Sequence, residues 1–287
     1  IVMAGGVSLP LNPRFTRFEM AYFLRDSGAR FAVSTDDQAE LLRELQPEAP
    51  ALEAVLPPGA LSEHDHVDQF QPEIAPEDAA FILYSSGTTG EPKGVVHTHR
   101  NLGCALDALR SCWQFTPNDV LLNTLPLFHI HGLSFASHLV LTTGCRMIIT
   151  HTFHPLKTLD EIPRATVFYG IPPFYYAFLG RREFREKASG WRGVRLFTCG
   201  SAPIRPEVLP ELEEILGRPV INRYGMTESH VITSLPVDRP SRQGSVGFVL
   251  DGLEMKLLGE QGEAVPTGTV GEVTIRGRNL FDRYWQK

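Results

Sequence analysis

Between residues 79 and about 225, short apolar runs alternate with stretches that are apolar on one side only. The runs at 79–84, 120–125, 146–150, 165–169, 194–198 and 219–223 predict strands, and the stretches at 100–112 and 206–216 predict helices. In the second helix Pro206 opens the element, and Val208, Leu212 and Ile215 share one face. This alternation predicts an α/β fold with parallel-sheet layers and flanking helices. Ligands then gather at the carboxyl ends of the strands. The polar motifs at 85–94, 128–132, 199–203 and 223–228 each follow a predicted strand.

Before residue 79 the pattern reads strand, loop, helix, strand. The run at 7–11 stops at Asn12-Pro13. Thr16 is placed to cap a helix, with Glu19 completing a capping box, and that helix runs to Asp26 and ends at Ser27-Gly28. A second strand follows at 30–34, and 46–78 reads as a loop with one short strand near Ala54. Beyond residue 240 the texture changes to glycine-rich turns and alternating runs such as Glu272-Val273-Thr274-Ile275-Arg276, which predict a small antiparallel β subdomain. The expected organisation is an α/β core over 1–239 and an incomplete β-rich subdomain over 240–287.

Composition narrows the function classes. With 43% hydrophobic residues in 287, the chain can build a large core, as one big domain or two smaller ones. The net charge of −6 is interspersed, with no basic block for nucleic acid and no polybasic amphipathic helix for a membrane surface. No stretch has the length of a membrane span. Cys104, Cys112, Cys145 and Cys199 lie far apart with no Cys-x-x-Cys, as expected of reduced thiols in a cytoplasmic protein. The chain opens on Ile1 and closes on Tyr284-Trp285-Gln286-Lys287 without a terminal cap, so a fragment is expected, as a monomer or homodimer.

The candidate chemistry begins with Ser85-Ser86-Gly87-Thr88-Thr89-Gly90-Glu91-Pro92-Lys93-Gly94, a loop leaving the 79–84 strand. Its hydroxyls, backbone N–H groups and ammonium suit a polyphosphate, and its glycines permit close backbone approach. It lacks the Gly-Lys-Ser/Thr of the common nucleotide loop, and Pro92 opposes a helix at Lys93, which places Lys93 on a mobile arm. Tyr224-Gly225-Met226-Thr227-Glu228 offers either a magnesium carboxylate or a helix start capped by Thr227. In Pro126-Leu127-Phe128-His129-Ile130-His131-Gly132 the two histidines read as one packed and one exposed, with metal a weaker option. Gly200-Ser201-Ala202-Pro203 either accommodates a flat ligand or is a tight turn, and Ser201 lacks the context of a hydrolase nucleophile. His151, His154 and the His64-Asp65-His66 run carry no expected role.

These segments in this order resemble the adenylate-forming superfamily of acyl-CoA synthetases, luciferases and peptide-synthetase adenylation domains. Ser85 to Gly94 is similar to its phosphate loop, Tyr224 to Glu228 to its Tyr-Gly-x-Thr-Glu motif, and Gly200 to Pro203 to its adenine-contact turn. Gly271-Glu272 through Gly277 and then Tyr284-Trp285 resemble its Gly-Glu…Arg-Gly…Gly-Tyr-Trp region, with Arg283 where glycine is usual. Within the superfamily, Leu125 to Leu133, Pro163 to Pro172 and Arg223 resemble malonyl-CoA synthetases.

The resemblance implies an acyl-CoA synthetase-like N-terminal domain. In that family a carboxylate attacks the α-phosphate of ATP, and the acyl group of the resulting acyl-adenylate passes to coenzyme A. Carried over, Lys93, Thr88, His129 and Glu228 are the expected catalytic set, with Glu228 holding Mg2+. Ser85, Ser86, Gly87, Thr88, Thr89, Gly90 and Lys93 are expected on the phosphates; Gly200, Ser201, Ala202, Tyr224, Gly225, Met226 and Thr227 complete the ATP/AMP site. His129, Ser201 and Arg223 face the acid, with Arg223 pairing the distal carboxylate of malonate or methylmalonate. The alternatives are a medium-chain or aryl acyl-CoA ligase, or a nucleotide-binding fragment with little turnover. An amino-acid-activating domain is disfavoured, because residues 130–134 contain no acid to pair a substrate amine. Family members continue past Lys287 into a Thr-Gly-Asp segment and a small C-terminal domain carrying a catalytic lysine, so impaired turnover is expected.

Overall fold

Thr16 does what its spacing predicts. Its side chain accepts from the Glu19 N–H while the Glu19 carboxylate accepts from the Thr16 N–H, starting α1 (Arg17–Ser27) in a computed structural model that describes residues 1–61, 72–85, 91–238 and 244–287. Gly28, at φ 65°, ends the helix in the left-handed region that glycine enters without strain. Thr16→Ala is expected to lower stability by about 1 kcal/mol, the usual worth of an N-cap, with urea unfolding as the measurement.

The chain divides into two compact units, Ile1–His99 with Arg283–Lys287, and Arg100–Asp282. In the first, β1 (Phe31–Val33) and β2 (Ala54–Leu56) pair in parallel around α2 (Asp36–Leu45). Met20, Ala21 and Leu24 of α1 pack with Leu42 and Leu45 of α2 as a small core. β3 (Ala79–Ser85) and β4 (Lys93–Thr98) form an antiparallel hairpin, and a two-residue strand, Arg283–Tyr284, adds to the far edge of β4.

Three expectations change here. The 79–84 strand belongs to an antiparallel hairpin outside the large sheet, because the connection from Ser85 to Lys93 is too short for a parallel crossover. Lys93 is the first residue of β4, paired with Ser85, and does not ride on a mobile arm. The 7–11 run makes only a single bridge, Ser8 to Phe81, since Pro10 and Pro13 have no N–H to donate to a ladder.

In the second unit, all but the first residue of α3 (His99–Cys112) leads to a seven-stranded sheet. Its strands are β5 (Val120–Asn123), β6 (Arg146–Ile149), β7 (Val167–Gly170), β8 (Leu196–Cys199), β9 (Val220–Met226), β10 (His230–Ser234) and β11 (Phe248–Val249). Spatial order is β11-β10-β9-β8-β7-β5-β6, parallel from β6 to β9 and antiparallel at β9–β10 and β10–β11. β5, β7 and β8 are buried at every position, which is why each reads as a continuous apolar run. The intervening helices are α4 (Leu139–Thr143), α5 (Pro155–Glu161), α6 (Pro172–Leu179), α7 (Arg182–Ala188) and α8 (Val208–Leu216). α8 starts two residues later than its proline suggests, with Pro206 in the preceding turn. The antiparallel ribbon expected beyond 240 is β12 (Leu253–Leu258) with β13 (Glu272–Gly277).

The segment 223–228 is not a helix start. β9 runs through Met226, and residues 227–229 turn the chain into β10. Gly225 sits where a Cβ would lie 2.1 Å from the His230 carbonyl oxygen, so only glycine lets these strands approach. Among the described residues, no helix is long and apolar enough to cross a membrane.

Candidate active site

The chain runs from β5 out to β6 on one side and returns to β7 on the other, so the strand order reverses at β5. Such a switch point leaves a crevice at the carboxyl ends of the strands. Asn123, at the end of β5, closes the loop that follows. Its Oδ1 accepts from the Leu125 N–H (3.0 Å) and its Nδ2 donates to the Gly132 carbonyl (3.2 Å). Gly132 is required there, because a Cβ would sit 2.3 Å from the Pro126 carbonyl oxygen.

The loop leaves one histidine exposed and buries the other, as its irregular course suggested. His129 is exposed beside Phe128, and desolvation by that wall still lowers its pKa. His131 is buried at the start of a π-helical segment, His131–His138, between Phe135 and Tyr169. Among the described residues no group of three or more His, Cys, Asp or Glu is arranged to hold a metal.

Arg223 organises the pocket. It projects from β9 with only 4% of its surface exposed, its Nη2 donates to Ser201 Oγ (3.3 Å), and its guanidinium lies 4.8 Å from the Phe135 ring centre. Gly200 leaves the necessary room, since a Cβ there would lie 2.7 Å from Arg223 Cζ. No carboxylate forms an ion pair with Arg223 among the described residues, and its Nε has no hydrogen-bond partner. Burial pulls its pKa down to about 10, against partial support from Cys199 and Tyr169, so it stays cationic at neutral pH.

The surroundings are set by that charge. Burial first, and the Arg223 cation second, hold His131 neutral by pushing its pKa well below 6.5. Ser201 Oγ accepts from Arg223 and lies 3.1 Å from His131 Nδ1, so the serine donates its proton there and the histidine carries its own on Nε2. Among the described residues, that Nε2 and the Tyr169 hydroxyl are buried without a hydrogen-bond partner. Buried polar groups are rarely left so. Three unpaired donors and a cation in one aromatic pocket favour an anion. Ser201 itself is held at φ 68°, a conformation that side chains rarely adopt and that strains the turn at the β8 end. Cys199 is no nucleophile, because burial raises its thiol to about 12.

The remaining expected residues lie as follows. Tyr224 and Met226 are 40% and 46% exposed on β9, offering a face to a ligand. Thr227 and Glu228 sit half-buried in the β9–β10 turn, where the Glu228 carbonyl accepts from the Phe281 N–H (2.7 Å). A single carboxylate there suits Mg2+ only if phosphate oxygens complete its shell, which is how magnesium is held on nucleotides. Ala202 and Pro203 are exposed after Ser201. In the first unit Ser85 ends β3 opposite Lys93, whose Nζ lies 5.2 Å from the Tyr284 ring centre. Ser86, Gly87, Thr88, Thr89 and Gly90 lie outside the described residues, as do His64, Asp65 and His66. His151 is exposed and His154 caps α5, so neither joins a site. Sequence reasoning missed His131, Phe135 and Tyr169 as pocket residues; the first two share the His131–His138 segment and Tyr169 comes from β7, so only the fold brings them together.

The second unit is thus a largely parallel α/β sheet with an anion-ready pocket at its strand ends. The chain belongs to the AMP-binding enzyme family, whose sequence profile matches residues 1–285. It is similar to a malonate–CoA ligase of Arabidopsis thaliana, at 32% identity over 98% of this chain and 50% of the relative. ATP-bound MatB from Rhodopseudomonas palustris superposes with a TM-score of 0.92 at 34% identity, over 99% of this chain and 57% of that one. A malonyl-CoA ligase holding methylmalonyl-CoA and AMP superposes with a TM-score of 0.84 at 34% identity, over 99% of this chain and 60% of that one. The chain thus spans about half the length of the curated relatives it matches.

Proposed function

We propose that this chain is the carboxylate-activating part of an AMP-forming acid–thiol ligase whose acid is malonate or methylmalonate. The observation that carries the acid is Arg223, a buried cation with no carboxylate partner among the described residues and an orphaned Nε. A dicarboxylic acid has one carboxylate to react and one to spare. The spare carboxylate fits the guanidinium as a charge-assisted pair, with Ser201 as a neighbouring donor.

The reacting carboxylate attacks the α-phosphorus of ATP and pyrophosphate leaves, giving the acyl-adenylate. Lys93 and the loop from Ser85 to Gly90 neutralise the β- and γ-phosphates, so that negative charge is stabilised as the bond to the leaving group lengthens. Thr88 and Thr227 bind phosphate oxygens, and Glu228 supplies the carboxylate for Mg2+, which spreads charge across the phosphates when bound. Tyr224, with Gly225 and Met226, lies against the adenine opposite the turn Gly200-Ser201-Ala202, and His129 closes the acyl pocket. Coenzyme A is the acceptor thiol. The four free cysteines fit a reducing, cytoplasmic setting.

The test is binding of non-reactive acyl-adenosine sulfamates to this chain by calorimetry. The malonyl and methylmalonyl compounds should bind at least about ten-fold more tightly than the butyryl and benzoyl ones. Tighter binding of butyryl or benzoyl would overturn the dicarboxylate but leave the adenylate reading. Failure of all four to bind would overturn both.

A further inference from the structure

Lys93 opens β4, and the chain on each side of it is tied down within the first unit. The Tyr22 hydroxyl of α1 donates to the Pro92 carbonyl (2.8 Å), immediately before the lysine. The Trp285 backbone N–H donates to the Gly94 carbonyl (2.7 Å), immediately after it. Both tethers lead back to α1. Tyr22 and Asp26 are four residues apart on that helix and so share a face. The Asp26 carboxylate accepts from the Tyr84 hydroxyl (2.5 Å), and its backbone carbonyl accepts from Trp285 Nε1 (3.0 Å) and Gln286 Nε2 (3.0 Å). Trp285 is therefore held between Asp26 and Gly94, and Gly94 is small enough for it: a Cβ there would lie 3.0 Å from Trp285 Cβ. Tyr22 remains a donor at neutral pH, because burial first, then Asp26 and Glu91, raise its pKa.

We propose that Tyr22 and Trp285 are positioning residues for Lys93, holding its backbone from both flanks so that the ammonium meets the nucleotide phosphates from a fixed strand. This rests on the reading of Lys93 as a phosphate ligand given above. A lysine carries its charge on a flexible four-carbon stem, so the placement of its Cα is the part the fold can supply in advance. The Tyr284 ring, 5.2 Å from Nζ, gives the ammonium a π face to rest on from the neighbouring strand.

The experiment measures ATP and AMP binding to the chain by calorimetry for the parent, Tyr22→Phe, Trp285→Phe, Lys93→Ala and the double variant Tyr22→Phe/Lys93→Ala. Tyr22→Phe deletes one hydroxyl and keeps the ring against Phe23 and Tyr84. It should weaken ATP by about three- to ten-fold, the worth of one hydrogen bond. AMP affinity should be unchanged, Tm should fall by no more than a few degrees, and the ATP loss should vanish in the Lys93→Ala background, as coupling through the lysine requires. Trp285→Phe, which removes the Nε1 bond to Asp26 and part of the ring but keeps the backbone bond to Gly94, should shift ATP in the same direction. The proposal is overturned if both variants bind ATP like the parent, if AMP weakens in parallel, or if the loss persists undiminished without Lys93. An effect of Lys93→Ala with none from either Tyr22→Phe or Trp285→Phe sinks the positioning role alone. No effect of Lys93→Ala sinks the phosphate reading and the positioning role with it.

Discussion

Arg223→Met is expected to raise the thermal stability of the unliganded chain while removing its preference for a dicarboxylic acid. Both effects have one cause. The guanidinium is buried, donates one hydrogen bond to Ser201, rests on Phe135 and finds no carboxylate among the described residues. Desolvating a charge costs several kcal/mol, and one neutral acceptor with a π face offsets only part of it. Methionine fills similar volume without the charge. The expected gain is about 1–3 kcal/mol, or about 2–4 °C in Tm for each kcal/mol.

The pH dependence of this gain follows from the depressed pKa. Arg223 has a folded value of about 10 against an ordinary 12.5, so between those values the unfolded chain binds more protons and stability rises with pH. The penalty is therefore full below about 10, and the gain in Arg223→Met should be flat through neutral pH and shrink above that value. On the binding side, losing one partner of a buried charge pair costs about 3 kcal/mol, or roughly 100-fold for the malonyl sulfamate. Butyryl sulfamate and ATP should bind as before. Calorimetric Tm values at two pH values and the three affinities check the whole set. A variant less stable than the parent would mean that Ser201 and Phe135 already satisfy the arginine.

What the sequence could show depended on how local each feature is. The Thr16–Glu19 capping box spans four residues and formed as read. β5, β7 and β8 were legible because burial on both faces keeps most of their positions apolar. The opposite fates of His129 and His131 followed from the loop character of the segment, since an extended chain would point both the same way. β4 was not legible, because Lys93-Gly94 belongs to a motif whose composition suggests a loop, and its strand character comes from pairing with β3 and with Arg283–Tyr284, almost two hundred residues away. The β9–β10 hairpin was hidden for a related reason: Tyr224-Gly225-Met226 has the polarity and glycine of a turn, and only the fit of Gly225 against His230 makes it a strand. The Arg223 pocket draws Ser201, the His131–Phe135 pair and Tyr169 from three separate segments, and no spacing rule links segments that meet only in the folded sheet.

Asp119→Ala should cost about 3 kcal/mol of stability, the usual penalty for breaking a buried ion pair, and leave the pocket's affinities unchanged. Asp119 immediately precedes β5, Thr166 immediately precedes β7, and Arg195 immediately precedes β8. The carboxylate joins all three. It pairs with Arg195 through Nε (2.7 Å) and Nη2 (2.8 Å), and accepts from Thr166 Oγ1 (2.7 Å) and the Thr116 N–H (2.9 Å). Arg195 extends the latch to the Trp113 and Gln114 carbonyls. These contacts fasten the amino ends of three adjacent parallel strands, while Asn123, Gly170 and Ser201 lie at the carboxyl ends. Burial raises the Asp119 pKa, but the bonds from Arg195 and Thr166 outweigh it and bring the value to about 2, below the ordinary 3.8. The linkage has a definite sign. The contribution is present above about 4 and is lost as pH falls toward about 2, so parent and variant should converge in acid. Urea midpoints at pH 7 and pH 3, with malonyl sulfamate affinity at pH 7, measure this. Weakened binding at full saturation of the folded state would show that the latch also shapes the pocket at the opposite strand ends. Unchanged binding with a lowered midpoint would separate the end of the sheet that holds the fold from the end that holds the ligand.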